Sequence, residues 1–380
     1  MMKKIVCAAL CVCSLLMQAA ALPAMGPLNA KSAALYDSSG QLLYEMNAEE
    51  PLQPASVTKI MTLLLAMEAL DRGEVQLTDP VTGSAYASSM GGTQIWLKEG
   101  EQLSFDEMLK AIAVGSANDC AVAVAEHLAG TEAAFVERMN TRAQELGCTS
   151  TTFINANGLD ADGGKTLTSA RDLALISVEL LRHPKILDYT TIWMDTIRNG
   201  EFSLANTNKM LKSYEGMIGL KTGYISQAGF CISAAAERGG MTLIATVMAA
   251  PTKEARTADV SALLNYGFAN FAPYTPDISS QLSPVPVRLG KSLSVMPTAE
   301  KISGVVLAKE DMAALTTEVR LADVVDAPVE KGQQLGSVTV KNGDAVLMTI
   351  PLTAAEQVGA LTFGDIYREF LRVLLMKEHD

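Results

Sequence analysis

The chain has 380 residues, of which 49% are hydrophobic and 19% are charged. This composition excludes an intrinsically disordered chain, and the length allows two domains with a sizeable core. The formal net charge of −12 argues against nucleic-acid binding, because phosphate backbones bind to clustered positive charge.

The first residues have the pattern of a secretory signal peptide. Lys3 and Lys4 precede an apolar run over residues 5–16, and small residues follow as far as Ala24. We therefore predict a signal peptide over residues 1–24 and an exported mature chain. The alternative is a short N-terminal membrane anchor, although the apolar run is short for a span of the bilayer.

Three cysteines remain after the predicted signal peptide, namely Cys120, Cys148 and Cys231. An odd number without CxxC spacing favours neither a disulfide framework nor a structural zinc site. We expect these thiols to be buried as small apolar side chains, and the sequence predicts no metal and no cofactor.

Residues 25–272 have the pattern of an α/β domain whose sheet is built from both ends of the segment. Residues 33–36 and 42–46 flank one turn sequence, and residues 230–236 and 241–248 flank another, so each pair predicts a β-hairpin. Helical periodicity fills the space between the hairpins, and one more helix follows them. The predicted helices begin at Ser56, Ser104, Asp119, Glu132, Ser169 and Thr257.

The composition changes after residue 272. Prolines are spaced among short runs of β-forming residues, and Asn342 with Gly343 is a strong signal for a hairpin turn. We therefore predict a separate small all-β domain over residues 273–356.

The last segment, residues 357–380, predicts an amphipathic helix. Ile366, Phe370, Val373 and Leu374 share one helical face. This face can lie in a membrane interface and tether the protein there, or it can pack on the all-β domain. The sequence leaves both interpretations open.

The helix that begins at Ser56 carries a hydroxyl and an amine three residues apart. This spacing places Ser56 and Lys59 on one helical face, within reach of each other. A serine hydroxyl needs a neighbouring base to become a nucleophile, and a buried lysine with a lowered pKa can be that base. Any helix surface can show Ser-x-x-Lys by chance, so this pattern alone is a weak signal.

Two further triplets can complete such a site. Ser116 and Asn118, separated by one alanine, can relay a proton and hold a substrate carbonyl, although both residue types are also common helix caps. Lys221, Thr222 and Gly223 precede the second hairpin and offer positive charge, a hydroxyl for a carboxylate and close backbone approach. The alternative is an edge strand that the lysine protects from aggregation.

Together the three triplets resemble those of the serine-type D-alanyl-D-alanine carboxypeptidases, which are low-molecular-weight penicillin-binding proteins. The likeness extends to residues 54–62, 116–119, 157–160, 169–172 and 219–224. It implies an α/β catalytic domain of the β-lactamase/transpeptidase type, then a small all-β domain and a C-terminal amphipathic helix. The implied activity is removal of the terminal D-alanine from peptidoglycan stem peptides, at the outer face of the cytoplasmic membrane or in the cell wall, with β-lactam antibiotics as inhibitors.

The resemblance also implies a role for each residue of the triplets. Ser56 is expected to attack the carbonyl of the penultimate D-alanine, with Lys59 as the base. Ser116 is expected to pass a proton to the departing D-alanine, while Lys221 keeps the surrounding network positively charged. Asn118 is expected to orient the substrate amide.

The same resemblance implies a site for the terminal carboxylate of the substrate. Thr222 is expected to bind this carboxylate, and so is Arg256 by spacing alone, a solvated surface arginine being the alternative. The backbone N–H groups of Ser56 and Tyr224 are expected to form the oxyanion hole, and Gly223 lets the substrate approach the strand.

Two alternatives remain: a β-lactamase, and a catalytically silent penicillin sensor or cell-wall binding module. The alanine in the triplet of Ser116 and the lack of a clear Glu-x-x-Leu-Asn segment disfavour fast penicillin hydrolysis. Three intact triplets disfavour a silent module. A Ser-His-Asp hydrolase is disfavoured because none of the three histidines is suitably placed, and the zinc-peptidase motif His-Glu-x-x-His is absent.

Overall fold

The computed structural model describes residues 22, 24–160, 164–299 and 304–375. Within these ranges the chain forms an α/β region, a β-rich region and a terminal helix. The predicted signal peptide, residues 1–24, lies outside the described residues except at positions 22 and 24, and it stays a prediction.

A five-stranded antiparallel sheet forms the centre of the α/β region, with the strand order β2-β1-β9-β8-β7. The strands of this region are β1 (Ser32–Asp37), β2 (Leu42–Met46), β3 (Pro80–Thr82), β4 (Gln102–Ser104), β5 (Met194–Ile197), β6 (Phe202–Ala205), β7 (Met217–Ile225), β8 (Gly229–Arg238), β9 (Met241–Ala250) and β10 (Phe271–Tyr274). The hairpins β1–β2 and β8–β9 are both present, and β1 pairs with β9. The sheet is therefore built from both ends of the region, as predicted.

Helices cover both faces of this sheet. They are α1 (Lys59–Asp71), α2 (Ala85–Ser88), α3 (Phe105–Lys110), α4 (Asn118–Ala129), α5 (Glu132–Glu145), α6 (Ala170–Leu181), α7 (Leu187–Thr190), α8 (Met210–Ser213) and α9 (Lys253–Asn270). A large core on one face joins α1, α3, α4, α5 and α6, and a second core under α9 occupies the other face. The result is a layered arrangement of helices, sheet and helix.

The helix α1 is enclosed by the core on all sides. Its buried side chains point in every direction around the axis and include Ile60, Leu64 and Met67. The chain enters α1 through a 3-10 turn, Ala55–Thr58, directly after Pro54. Because protein cores are close-packed, a helix enclosed in this way holds its first turn in a fixed position.

The β-rich region contains β11 (Val285–Arg288), β12 (Ser294–Val295), β13 (Pro297–Thr298), β14 (Val305–Ala308), β15 (Leu315–Leu321), β16 (Val325–Asp326), β17 (Gln334–Asn342) and β18 (Ala345–Ala354). Its largest sheet has the order β13-β18-β17-β15, and the turn at Asn342 and Gly343 joins β17 to β18 as predicted. β10 pairs with β14, so the predicted boundary between residues 272 and 273 falls inside a strand that links the two regions. The predicted fold class, an α/β region followed by an all-β domain, is confirmed.

A last helix, α10 (Phe363–Leu375), follows the β-rich region, and none of its side chains is buried. Phe363 is 83% exposed and Phe370 is 60% exposed. The apolar face of α10 therefore does not pack on the all-β domain, which removes one of the two interpretations that the sequence left open. No helix in the part of the chain that the structure describes is both long and apolar enough to cross a bilayer.

Candidate active site

Ser56 lies where the 3-10 turn runs into α1. Its Oγ is 3.1 Å from the Nζ of Lys59, as the spacing of three residues predicts. The backbone N–H groups in the first turn of a helix have no partner within the helix, so the N–H of Ser56 can donate to a ligand.

Lys59 is fully buried, and its Nζ contacts three oxygen atoms. Besides Ser56 Oγ, these are Asn118 Oδ1 at 2.6 Å and the backbone carbonyl of Asn157 at 2.8 Å. Burial, followed by the charge of Lys221, holds the pKa of Lys59 well below its usual value. A neutral amine has two N–H donors and one lone pair. When both donors point to the carbonyl oxygens, the lone pair is left for the Ser56 hydroxyl.

Ser116 owes its position to an irregular turn between α3 and α4. The helix α3 begins with a capping box formed by Ser104 and Glu107 and ends in a π turn, Ala111–Gly115. Ser116 follows with a φ of 65°, which is uncommon outside glycine. This backbone conformation places Ser116 in the wall of a cleft, where it is 4% exposed. Within the described ranges, its Oγ makes no hydrogen bond to Lys59 or Lys221.

Asn118 connects the lysine of α1 to a loop at the edge of the cleft. It is the first residue of α4, and its Nδ2 donates to the carbonyl of Gly91 at 2.7 Å. Its backbone N–H donates to the carbonyl of Thr93 at 2.8 Å. The side chain that holds Lys59 thus also fixes the loop that brings Thr93 to the cleft.

The edge strand β7 supplies the opposite wall. Lys221 is 1% exposed, and its Nζ donates to the carbonyl of Thr222 at 2.9 Å. Burial, followed by the charge of Arg256, lowers the pKa of Lys221 to about 7. Gly223 lies so close to the 3-10 turn that a Cβ atom there would be 2.4 Å from the carbonyl oxygen of Pro54. Any larger residue would push the strand away from that turn.

Arg256 lies in α9 and is 5% exposed, so it is not a solvated surface arginine. Its buried Nε has no hydrogen-bond partner among the residues that the structure describes. It lines the cleft together with Thr222, whose Oγ1 donates to Thr207 Oγ1 at 2.8 Å. Lys209 and Lys253 line the same cleft. This end of the cleft therefore suits an anionic group such as a carboxylate.

The cleft between these walls has a volume of about 450 Å³. Six of the predicted site residues line it, namely Ser56, Ser116, Thr222, Gly223, Tyr224 and Arg256. The other three, Lys59, Asn118 and Lys221, are buried next to these lining residues. The remaining lining residues are Thr93, Ala205, Asn206, Thr207, Lys209, Phe230 and Lys253. The structure thus brings the predicted residues together and adds loop residues that no motif marked.

Sequence reasoning missed the second carbonyl that holds Lys59, which belongs to the backbone of Asn157. The one signal that pointed to this loop was the resemblance of residues 157–160 to the carboxypeptidase family. A backbone carbonyl has no residue type of its own, so the resemblance marked the segment without marking the group.

Within the described ranges, one group of side chains is close enough to share a metal ion, formed by Glu68, Glu179 and His183. It lies outside the cleft. The guanidinium of Arg142 is already 2.7 Å from each of the two carboxylates. This cation balances the carboxylate charges, so the cluster is an ion-pair network.

The fold and the site together define a class of protein. A Ser–Lys pair at the start of a core helix, a serine in the facing wall and Lys-Thr-Gly on an edge strand are the arrangement of penicillin-binding serine enzymes. The model of peptidase family S11, described as D-alanyl-D-alanine carboxypeptidase, matches residues 17–252. A second model, the C-terminal domain of penicillin-binding protein 5, matches residues 278–360. The chain belongs to the D-alanyl-D-alanine carboxypeptidase family.

Individual relatives agree with the family match. D-alanyl-D-alanine carboxypeptidase DacF of Bacillus subtilis is 40% identical over 343 residues, which cover 88% of this chain and 88% of the relative. Penicillin-binding protein 5 from Haemophilus influenzae has a TM-score of 0.74 at 29% identity and covers 89% of this chain and 99% of its own. Penicillin-binding protein D2 from Listeria monocytogenes, solved in an ampicillin-bound form, has a TM-score of 0.59 at 35% identity and covers 63% of this chain and 98% of its own. The predicted class of enzyme, a serine-type carboxypeptidase hydrolase, is confirmed.

Proposed function

We propose that this enzyme removes the terminal D-alanine from peptidoglycan stem pentapeptides through an acyl-enzyme on Ser56. The observation that carries the proposal is the 3.1 Å contact between Ser56 Oγ and Lys59 Nζ, beside a cleft that Ser116 also lines. A buried lysine with a lowered pKa can accept a proton, and a hydroxyl hydrogen-bonded to such a base can act as a nucleophile.

In the acylation step, Ser56 Oγ attacks the carbonyl carbon of the penultimate D-alanine, and its proton passes to Lys59 Nζ. The carbonyl oxygen becomes negative, and we assign its stabilisation to the backbone N–H groups of Ser56 and Tyr224. The position of Ser56 in a first helical turn supports the first donor. The close approach of Gly223 to the same turn supports the second, because Tyr224 is the next residue along β7.

Collapse of the tetrahedral intermediate breaks the peptide bond, and the departing D-alanine needs a proton on its nitrogen. We assign the delivery of this proton to the hydroxyl of Ser116, which regains one from Lys59. Burial, followed by the charge of Lys221, lowers the pKa of Lys59, so protonated Lys59 readily gives its new proton away. The location of Ser116 in the cleft wall supports this role.

Two sets of polar side chains in the site can recognise the substrate. We assign the terminal carboxylate to Thr222 and Arg256, because the buried guanidinium lines the cleft with an unpaired Nε among the described residues. A site of this kind requires a free C-terminus, which is the specificity of a carboxypeptidase. We assign the substrate amide to Asn118, whose Nδ2 keeps a second N–H after donating to Gly91.

In the deacylation step, water attacks the ester on Ser56 and releases the shortened stem peptide. A β-lactam resembles D-Ala-D-Ala, so it is expected to acylate Ser56 and to leave slowly. The Listeria relative, solved in an ampicillin-bound form, supports β-lactam binding in this fold.

An assay of D-alanine release from a stem-peptide mimic tests the proposal, with residues 25–380 compared with Ser56→Ala. We expect release by the first protein and none by the variant, with the same melting temperature. Release that survives the substitution would contradict the assignment of the nucleophile. Penicillin labelling over time provides a second test, in which lasting label is expected, rapid loss indicates a β-lactamase, and absence of label indicates a silent module.

We also propose that the protein acts outside the cytoplasm, after removal of residues 1–24. In this proposal residues 25–272 are the catalytic domain, residues 273–356 are the all-β domain, and residues 357–380 contact a lipid surface. The relatives are penicillin-binding proteins and cell-wall carboxypeptidases, which is consistent with extracytoplasmic action. The exposed aromatic and aliphatic face of α10 supports the lipid contact, since such faces bind membrane interfaces.

A further inference from the structure

The orientation of Lys59 depends on a loop that none of the three triplets contains. One of the two carbonyl oxygens that accept from Lys59 Nζ belongs to Asn157, in the irregular segment between α5 and α6. The lone pair of Lys59 Nζ keeps one direction only while the two oxygen atoms that accept its N–H groups stay in place. Whatever fixes the carbonyl of Asn157 therefore also fixes the lone pair that faces Ser56.

One residue before Asn157, the backbone N–H of Ala156 is held by a carboxylate. Glu132 is the first residue of α5 and is 9% exposed. Its Oε1 accepts from the backbone N–H of Ala156 at 2.9 Å, and its Oε2 accepts from the hydroxyl of Tyr86 at 2.9 Å. Desolvation and this hydrogen bond raise the pKa of Tyr86 to about 12, so the hydroxyl stays protonated and remains a donor.

The same peptide segment is held from the opposite side by the nucleophile helix. Thr62, on α1, donates its Oγ1 to the carbonyl of Ala156 at 2.6 Å. Gly158 has a φ of +85°, and a Cβ atom there would lie 2.0 Å from the carbonyl oxygen of Ala55. The loop is thus clamped between α5 and α1, with Glu132 as the anchor on the α5 side.

We propose that Glu132 is a positioning residue for the catalytic base. Its carboxylate holds the N–H of Ala156 while Thr62 holds the carbonyl of the same residue, and together they fix the next residue, Asn157, whose carbonyl accepts from Lys59. The lone pair of Lys59 then stays directed at the hydroxyl of Ser56. This inference rests on the proposed function, because it assigns Glu132 to the same acylation step.

The role follows from the chemistry of a carboxylate at this position. An ionised carboxylate is an acceptor only, so it can take the Ala156 N–H and the Tyr86 hydroxyl at the same time. The N-terminus of α5 favours the negative charge of Glu132. Alanine at this position would leave the buried N–H of Ala156 without its acceptor and let the loop relax.

The test compares Glu132→Ala with Glu132→Gln in D-alanine release and in the rate of acylation by penicillin. Misplacement of a base by about 1 Å can lower a rate by about 100-fold, so kcat of Glu132→Ala should fall by about 10- to 100-fold. KM should stay within about twofold of wild type, because the residues proposed to bind the terminal carboxylate and the amide of the substrate are unchanged. In Glu132→Gln the side-chain oxygen can still accept from Ala156 and the amide can donate to Tyr86, so kcat should recover to within about threefold of wild type.

Asp172 provides a matched control for a purely structural effect. It lies in the first turn of α6, is 1% exposed, and accepts from the N–H of Ser150 and the Oγ1 of Thr151, each at 2.8 Å. Ser150 and Thr151 lie earlier in the segment between α5 and α6, and among the described residues neither makes a hydrogen bond to Lys59. Asp172→Ala should lower the melting temperature as Glu132→Ala does, while kcat per folded molecule, counted by penicillin titration, stays at the wild-type value.

Three results would overturn the inference while the proposed function stands. They are a wild-type kcat per folded molecule in Glu132→Ala, an equal fall of kcat in Asp172→Ala, or no recovery in Glu132→Gln. Loss of the proposed function has a different signature, because it requires wild-type protein that releases no D-alanine or Ser56→Ala that still does.

Discussion

The α/β region and the β-rich region of this protein differ in what they bury. Every buried polar or charged side chain among the described residues lies in the α/β region, between Ser32 and Asp259. Three of these side chains are basic, namely Lys59, Lys221 and Arg256. Over the stretches of the β-rich region that the structure describes, the buried side chains are apolar.

The charges of the β-rich region stay in contact with water. Arg288 pairs with Asp326, and Lys341 pairs with Glu318, at exposed or partly exposed positions where ion pairs contribute little to stability. Burying a charge costs free energy, and a lysine avoids part of this cost by losing its proton. The comparison indicates that the α/β region accepts this cost at the proposed acyl-transfer site, where lowered lysine pKa values are needed, and that the β-rich region has no such need.

The largest effect is expected when the buried lysine of the comparison is removed. Lys59→Met should lower D-alanine release by at least about 1,000-fold, because the hydroxyl of Ser56 loses its base. The same substitution at Lys341, which is partly exposed, should leave the rate unchanged. Equal values of kcat per folded molecule in the two variants would contradict the contrast between the buried and the exposed lysine.

The same two variants should differ in how stability depends on pH. The pKa of Lys59 in the folded protein lies well below 10.5, so the unfolded chain binds a proton that the folded chain does not. The free energy of unfolding therefore rises with pH up to about 10.5, and one such group contributes at most about 1.4 kcal/mol per pH unit. Lys221, with a folded-state pKa of about 7, contributes to the same slope. Lys59→Met should therefore reduce the slope by at most about 1.4 kcal/mol per pH unit and Lys341→Met should leave it unchanged, as measured by urea unfolding between neutral and alkaline pH.

The next effect concerns the buried arginine. Arg256→Ala should lower kcat/KM by about 10- to 100-fold, because the proposed charge-assisted hydrogen bond to the substrate carboxylate is lost. Burial, followed by the charge of Arg256, lowers the pKa of Lys221 to about 7, so removal of Arg256 should raise that pKa part of the way back. If Lys221 acts as a cation, the alkaline limb of the pH–rate profile should then move to higher pH. Arg288→Ala, at an exposed ion pair, is the matched control and should change neither quantity.

The features that the sequence could predict are those formed by residues close together in the chain. The two hairpins and the helix that follows Ser56 are predicted by local patterns, and the structure confirms them. Ser56 and Lys59 are on one helix, so their contact follows from helical spacing alone. These features needed no knowledge of which parts of the chain meet.

The remaining parts of the site come from long-range packing. The carbonyl of Asn157 reaches Lys59 across 98 residues of sequence, and no residue type marks a backbone acceptor. Thr93 lines the cleft on a loop that is held by the distant residue Asn118. Arg256 was expected from spacing, and sequence alone could not distinguish a buried guanidinium from a solvated one, because burial depends on how α9 packs against the sheet.

A smaller effect, on membrane binding, is expected at the terminal helix α10, where apolar groups are exposed. Phe370→Asp should weaken binding to phospholipid vesicles by at least about tenfold, because it removes an apolar contact and adds a charge at the interface. Val346→Asp, at another exposed apolar position in the β-rich region, should bind vesicles like the wild type. Binding by both variants at the wild-type level, measured by flotation, would show that α10 is not a lipid contact.

The smallest effect on catalysis is expected in the core of the β-rich region. Leu352 is fully buried in a cluster with Ile278, Val338 and Ile350, and no member of this cluster lines the cleft. Leu352→Ala should destabilise the region by about 2–5 kcal/mol, while kcat and KM for a soluble stem peptide stay unchanged. Calorimetry should show one transition moving to lower temperature while a second stays in place, because the cluster of Leu352 contains no residue of the α/β region. A single transition that shifts as a whole would mean that the β10–β14 pairing couples the regions into one unfolding unit, so that the contrast between them governs chemistry but not stability.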